Sequence, residues 1–268
     1  MAAAIPSELG ERNVRQLLMQ YAVPAIIAMT ASSLYNMVDS IFIGHIPGVG
    51  HYAISGLAVT FPLMNLSTAL GTLVGVGAST MLSVLLGQRN YKAAGKVLTN
   101  EFLLNIIIGL IFSAVTIAFL SPILCFFGAS ENTLPYARDY MFIILLGNVV
   151  THLYFGLNNV IRASGHPKMA MGLTIFTVLF NTVLDPIFIF GFGMGIKGAA
   201  LATVICQCLA LSYTLWFFFD QNNFLHLPAR LKDFRLDMKV AMDSLTIGMG
   251  PFLMNSASCI VTMLINQQ

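Results

Sequence analysis

MAMGLTIFTVLFNTVLDPIFIFGF (169–192) carries a single charged side chain, Asp185, in a run long enough to cross a bilayer. A crossing needs about 20 apolar residues. An ionised Asp near the bilayer centre costs about 3 kcal/mol on insertion scales, and such residues face a bundle interior or a water-filled cavity and bind ions, protons or substrates. The pattern repeats in LYNMVDSIFIG (34–44), where Asp39 stands alone. Two isolated carboxylates in apolar runs make this an all-α polytopic membrane bundle and mark where its function should be sought.

Working outward, apolar stretches fall at 16–43, 54–86, 102–127, 140–160, 169–192, 198–219 and 240–268. Breakers separate them at HIPGVG (45–50), GQRN (87–90), SGHPK (164–168) and GFGMGIK (191–197). The chain is 57% hydrophobic and 9% charged, with a mean hydropathy of +0.82. Soluble domains carry about 25% charged residues. A net charge of +2 without a basic, aromatic-interleaved run gives no footprint for nucleic acid.

Eleven of the 13 Lys and Arg fall before the first stretch or in alternate connections: Arg12, Arg15; Arg89, Lys92, Lys96; Arg162, Lys168; Arg230, Lys232, Arg235, Lys239. Arg138 and Lys197 fall in the others. This alternation predicts six complete spans with a cytoplasmic N-terminus. It divides the chain into a cytoplasmic lead-in (1–15), a six-helix lobe (16–219), a cytoplasmic linker (220–239) and a seventh stretch (240–268). Setting Pro251 on Pro24 aligns that stretch with the first, as at the start of a second repeat whose remainder is missing. Repeats are a common transporter plan. The lead-in lacks the basic start, short apolar core and cleavage site of a signal peptide.

At about 1.5 Å per residue, Asp39 and Asp185 lie roughly 8–9 Å from the outer ends of their spans, and Thr203 reaches a similar depth on the sixth. Asn36 and Asn181 lie one turn from the two acids on the same faces. Pro186 leaves the carbonyl of Thr182 without a donor, and Pro24 frees that of Gln20 and should kink the first span. Asp39, Asn181, Asp185 and Thr203 could hold Na⁺ or share protons; no other cofactor is expected. Tyr35, Asn36 and Asn158 are candidates to line a substrate cavity. His152 reads as a hydrogen-bonded packing residue, and Glu101, Asp139 and Asp243 as span-end charges near headgroups. The four cysteines, Cys125, Cys206, Cys208 and Cys259, read as buried small hydrophobes; Cys206 and Cys208 point to different faces and make a poor metal pair.

NTVLDPIFIFGFGMGIKGAALATVICQ (181–207), IRASGHPKMAM (161–171) and YNMVDSIFIGH (35–45) together resemble the multidrug and toxic compound extrusion (MATE) family, from about residue 12 onward. The resemblance implies two six-helix lobes, of which the second is missing here, in a multi-pass inner (plasma) membrane protein. It implies a non-enzymatic antiporter that exports amphipathic or cationic organic compounds in exchange for H⁺ or Na⁺. Of its branches, the DNA-damage-inducible-F-like (DinF-like) one fits best. That similarity implies cation-coupling roles for Asp39, Asn181, Asp185 and Thr203, with Tyr140 near the network and Pro24 as the bending point. Three other readings compete. A lipid-linked precursor flippase would have a more basic cavity, an intramembrane aspartyl protease would have a Gly-x-Gly-Asp motif in place of VLDP (183–186), and the half-protein could be a non-transporting scaffold.

Overall fold

A bilayer leaves backbone groups no water to bond, so each crossing must satisfy its own hydrogen bonds as a helix. The computed structural model describes residues 13–221, 223–228 and 230–266, and they contain helices and turns but no strand. Most of the 1–15 lead-in therefore lies outside the described residues. The helices are α1 (Val14–Gly44), α2 (Gly50–Gly87), α3 (Tyr91–Ala118), the short α4 (Leu120–Phe126), α5 (Leu134–Leu146), α6 (Asn148–Ala163), α7 (Pro167–Pro186), α8 (Ile196–Phe219) and α9 (Met238–Asn266). Six of them are long and apolar enough to span a membrane, and α5 with α6, bent by 58°, would make a seventh crossing if the pair is one broken span.

Three features depart from the sequence reading. The second span begins earlier than expected, as one continuous helix from Gly50 that runs through Pro62. The third begins at Tyr91, because Asn90 caps the polar run 91–100 by accepting from the Ala93 amide at 3.2 Å, and α4 forms a separate element at its far end. The fourth begins at Leu134 and breaks at Gly147, where a Cβ would lie 2.6 Å from Val204 of α8. Glycine lets the chain turn directly against that neighbour.

Helix α7 continues into a π-helical turn, Ile187–Gly191. The proline at 186 has no N–H for the regular ladder, and a wider turn is one way the chain accommodates the break. Hydroxyls inside the spans bond back to their own helices, as in Thr68 to the Met64 carbonyl (2.9 Å) and Thr182 to that of Val178 (2.9 Å).

The connections carrying most of the basic residues gather at one end. There His166 packs against Phe217 and Phe224, with ring centroids 5.4 and 6.4 Å apart, and Tyr91 meets Phe224 at 6.1 Å. Burial lowers the affinity of the His166 imidazole for a proton, partly offset by its contact with Ser164. At the opposite end Lys197 pairs with Asp139 at 3.2 Å. One apolar core (Leu82, Leu98, Leu157, Phe218) serves the basic end, and another (Ile43, Leu57, Tyr140, Met141) serves the opposite end.

Helix α9 lies antiparallel along α2. Gly77 faces the Ser244 carbonyl and Gly248 faces the Leu73 carbonyl, with no room for a Cβ at either. The Cys259 thiol donates to the Pro62 carbonyl at 3.1 Å. Cys206 and Cys259 are buried as expected, whereas Cys125 and Cys208 are exposed on the bundle surface. Position on a helix face, which hydropathy does not report, separates the two pairs.

Candidate functional site

Helices α1, α7 and α8 bring the predicted oxygen ligands together. Thr203 donates its one hydroxyl proton to the Ala199 carbonyl (3.1 Å), so its oxygen is left to accept. It accepts from the Tyr35 hydroxyl at 2.9 Å and from the Asn181 amide nitrogen at 3.4 Å. That three-helix junction holds Asn181 with its carbonyl oxygen turned away and unbonded.

Asp39 and Asp185 are 5% and 0% exposed. One oxygen of Asp39, both of Asp185 and the amide oxygen of Asn181 are buried with no hydrogen-bond partner among the described residues. The two acids are close enough to interact electrostatically, and the buried Tyr140 interacts in turn with Asp39, Tyr35 and Asp185. Buried polar atoms ordinarily find a partner. Four buried acceptor atoms on Asp39, Asp185 and Asn181 thus lack a hydrogen-bond partner among the described residues. Carboxylate and amide oxygens suit a hard cation such as Na⁺.

This junction forms one wall of a cavity of about 310 Å³. Tyr35, Asn36, Asn181 and Thr203 line that side, with Ser67, Asn148, Thr151 and Gln207 among the groups opposite. Phe61, Met64 and Phe155 supply apolar surface, and no Lys or Arg is among the lining residues. Thr151 of α6 hydrogen-bonds the Gln207 side chain of α8 across the cavity's edge. The carboxylates sit behind the wall and do not line the cavity themselves.

Tyr35 and Asn36 line this cavity, whereas Asn158 is not among its lining residues. Its amide donates to the Ala170 carbonyl (3.2 Å) and its oxygen accepts from Arg162 (3.3 Å), so it ties α6 to α7 near the basic end. Pro24 lies inside α1, which stays helical through it.

Glu101 requires a larger correction. It is 1% exposed, buried between helices and not solvated as a span-end charge would be. Because α3 starts ten residues earlier, Glu101 lies about 15 Å along it. Asn105 donates to Glu101 Oε1 at 2.6 Å. His152 is fully buried and bonds Ser67 at 3.1 Å, in keeping with a packing role. The sequence reading missed this second polar cluster and the Thr151–Gln207 pair. Asn105, Asn148 and Gln207, uncharged but strongly polar in apolar spans, were the signal that could have found them.

The MatE family model matches residues 24–187. The multidrug export protein MepA of Staphylococcus haemolyticus is 30% identical over 244 residues, 91% of this chain and 53% of the relative. A solved chain described as "protein A" superposes with a TM-score of 0.89 at 32% identity, over 97% of this chain and 58% of its own length. The outward-facing structure of a multidrug resistance MATE transporter of the MOP superfamily aligns at a TM-score of 0.81 and 24% identity, over 89% of this chain and 52% of that one. The chain spans about half the length of the curated relatives it matches. With a family model covering more than half of its residues and a bundle of membrane-spanning helices in the same arrangement, this chain belongs to the MatE family, the multidrug and toxic compound extrusion membrane proteins.

Proposed function

We propose that this chain is the amino-terminal lobe of a cation-coupled multidrug efflux antiporter of the plasma membrane, of the DinF-like branch. Residues 16–219 form the lobe, 220–239 the cytoplasmic linker, and 240–268 the first helix of a second lobe that completes the transport path. The observation that carries this reading is the set of four unpartnered oxygens on Asp39, Asp185 and Asn181, set behind the wall of a cavity. An external H⁺ or Na⁺ reaches them and neutralises the pair. The Tyr35–Thr203–Asn181 junction ties α1, which carries Asp39, and α7, which carries Asp185, to α8.

Neutralisation removes the repulsion between the acids and lets α1 move towards α7 and α8, bending at Pro24. Tyr35 and Asn36 ride on α1, so the cavity contracts and an amphipathic or cationic compound leaves its apolar lining. No bond is made or broken in this cycle, which is transport and not catalysis. A flippase moving an anionic headgroup would call for lining cations, and the cavity offers none.

The test is dye efflux from energised cells carrying the full-length protein, wild type against Asp39→Asn and Asp185→Asn at equal membrane abundance. Each variant is expected to lose coupled efflux while inserting normally. Full transport by both would sink the mechanism.

A further inference from the structure

The efflux reading leaves Glu101 without a role. Its Oε1 accepts from Asn105 at 2.6 Å, but Oε2 is buried without a partner among the described residues, as are Asn105 Oδ1 and His152 Nδ1. The seat is tight, because Gly156 of α6 packs directly against Glu101 Oε1 and the Asn105 amide, with no space for a Cβ. One turn along the same seam, a Cβ on Gly109 of α3 would lie 3.5 Å from His152 Nδ1. The three unpartnered atoms therefore line one stretch of the α3–α6 interface.

The tautomer of His152 follows from its neighbour. Ser67 donates its single proton to Asn148 Oδ1 at 2.6 Å, so the 3.1 Å contact with His152 Nε2 has the imidazole donating. Nδ1 is then a bare lone pair. Ser67 and Asn148 both line the central cavity that also touches Asn181 and Thr203. At the other end, Asn100, next in the chain to Glu101, accepts from the Asp237 amide at 2.9 Å and lines a crevice of about 930 Å³ at the basic end. The Glu101–Asn105 pair thus lies between the His152–Ser67–Asn148 group, which reaches the cavity, and Asn100, which reaches the crevice.

Among the described residues no cation is paired with the carboxylate; His226, Asp233, Arg235 and Asp237 line the crevice beside Asn100 without an ion pair to Glu101. Helix α2 brings only His51 and Tyr52, at its far end. Helix α6 brings His152 and Tyr154, with Arg162 turned to Asn158. Lys239 and Asp243 of α9 are exposed, as are Lys92 and Lys96 one or more turns before Glu101 on its own helix in the partly open crevice. Arg138 and Asp139 of α5 belong to the opposite end, where Asp139 pairs with Lys197. A hard metal cation gathers several oxygens, and this seam offers two unpartnered ones beside an imidazole nitrogen. A proton needs one acceptor.

We propose that Glu101 is a further proton-binding residue of this bundle, seated in the α3–α6 seam beside the His152–Ser67–Asn148 group that reaches the central cavity. The proton comes from and returns to water, and no other bond changes. Binding at Glu101 stands independently of the efflux reading; only its use in coupling rests on that reading.

The test is infrared difference spectroscopy of the whole chain in lipid between acid and alkaline buffer, with glutamate labelled with ¹³C at its side-chain carboxyl. The chain has four glutamates, Glu8, Glu11, Glu101 and Glu131. The expected result is a protonated-carboxyl band that shifts with the label, titrates with pH, is lost in Glu101→Gln and changes midpoint in His152→Gln. It should persist in the Asp39→Asn, Asp185→Asn double variant even where efflux is gone, which separates the two readings. A spectrum with no label-shifted titrating band overturns the proposal, and this arm needs no variant to fold. So does a band unchanged in Glu101→Gln, or one abolished when Na⁺ replaces choline at fixed pH, which would make this a sodium site.

Discussion

The bundle holds carboxylates in two ways. Asp39 and Asp185 lie where three helices meet behind a cavity wall, beside a proline that breaks one of the helices. Glu101 lies between two helices pressed together at a glycine. The first arrangement leaves four acceptors beside a cavity, and the second leaves an acid in a seam that cannot widen without losing its packing. A buried acid can thus border open space or be clamped by backbone, and the contacts of the neighbouring helices tell which.

The largest expected effect tests the clamped seam. Gly156→Leu drives a side chain into Glu101 and Asn105, and overpacking of this kind costs about 1–3 kcal/mol and at times more. Little folded protein should survive extraction and size-exclusion chromatography. The matched control is Gly172→Ala on α7, where nothing lies within 4 Å of the new Cβ, and it should behave as wild type. Equal tolerance of both would erase the distinction between the two regions.

Next, Asn105→Leu removes the donor to Glu101 and leaves a buried carboxylate oxygen unpaired. Such a loss costs about 1–3 kcal/mol, read as a lowered thermal midpoint in detergent. Thr203→Val is milder, since it frees the Tyr35 hydroxyl and the Asn181 amide at the edge of a cavity. About 1 kcal/mol of stability should go, together with a several-fold weaker dependence of efflux on the coupling ion. The smallest effect belongs to Lys197→Ala. Its pair with Asp139 is about half exposed, and such pairs contribute less than about 1 kcal/mol. The thermal midpoint should scarcely move.

The cavity-side region was legible in the sequence and the clamped seam was not, for a physical reason. A lone Asp in an apolar run stands out against its neighbours, and counting residues from the turns brought Asp39, Asp185, Asn181 and Thr203 to one place. Glu101 follows KAAGKVLTN (92–100), a polar stretch that hydropathy assigns to the headgroups. The stretch is helical and capped by Asn90, and the acid at its end is buried against α6, which hydropathy does not report. The break at Gly147 was hidden likewise, since Val204 of α8, far along the chain, is what requires a glycine there. Asn158 was misplaced because its partners, Ala170 and Arg162, depend on how α6 meets α7. The number and order of the spans were readable, because the bilayer imposes a minimum apolar length, but the ends of the second, third and fourth were not.

The seam between α2 and α9 has a mechanical consequence. The two helices touch backbone to backbone at Gly77 and Gly248, and again where Cys259 meets Pro62. Neither contact leaves slack, so α9 is keyed to α2 like a tooth to a rack. On the same α2, Phe61, Met64, Ser67 and Thr68 face the cavity. Force applied to α9 along its axis is delivered to that wall without passing through a flexible joint.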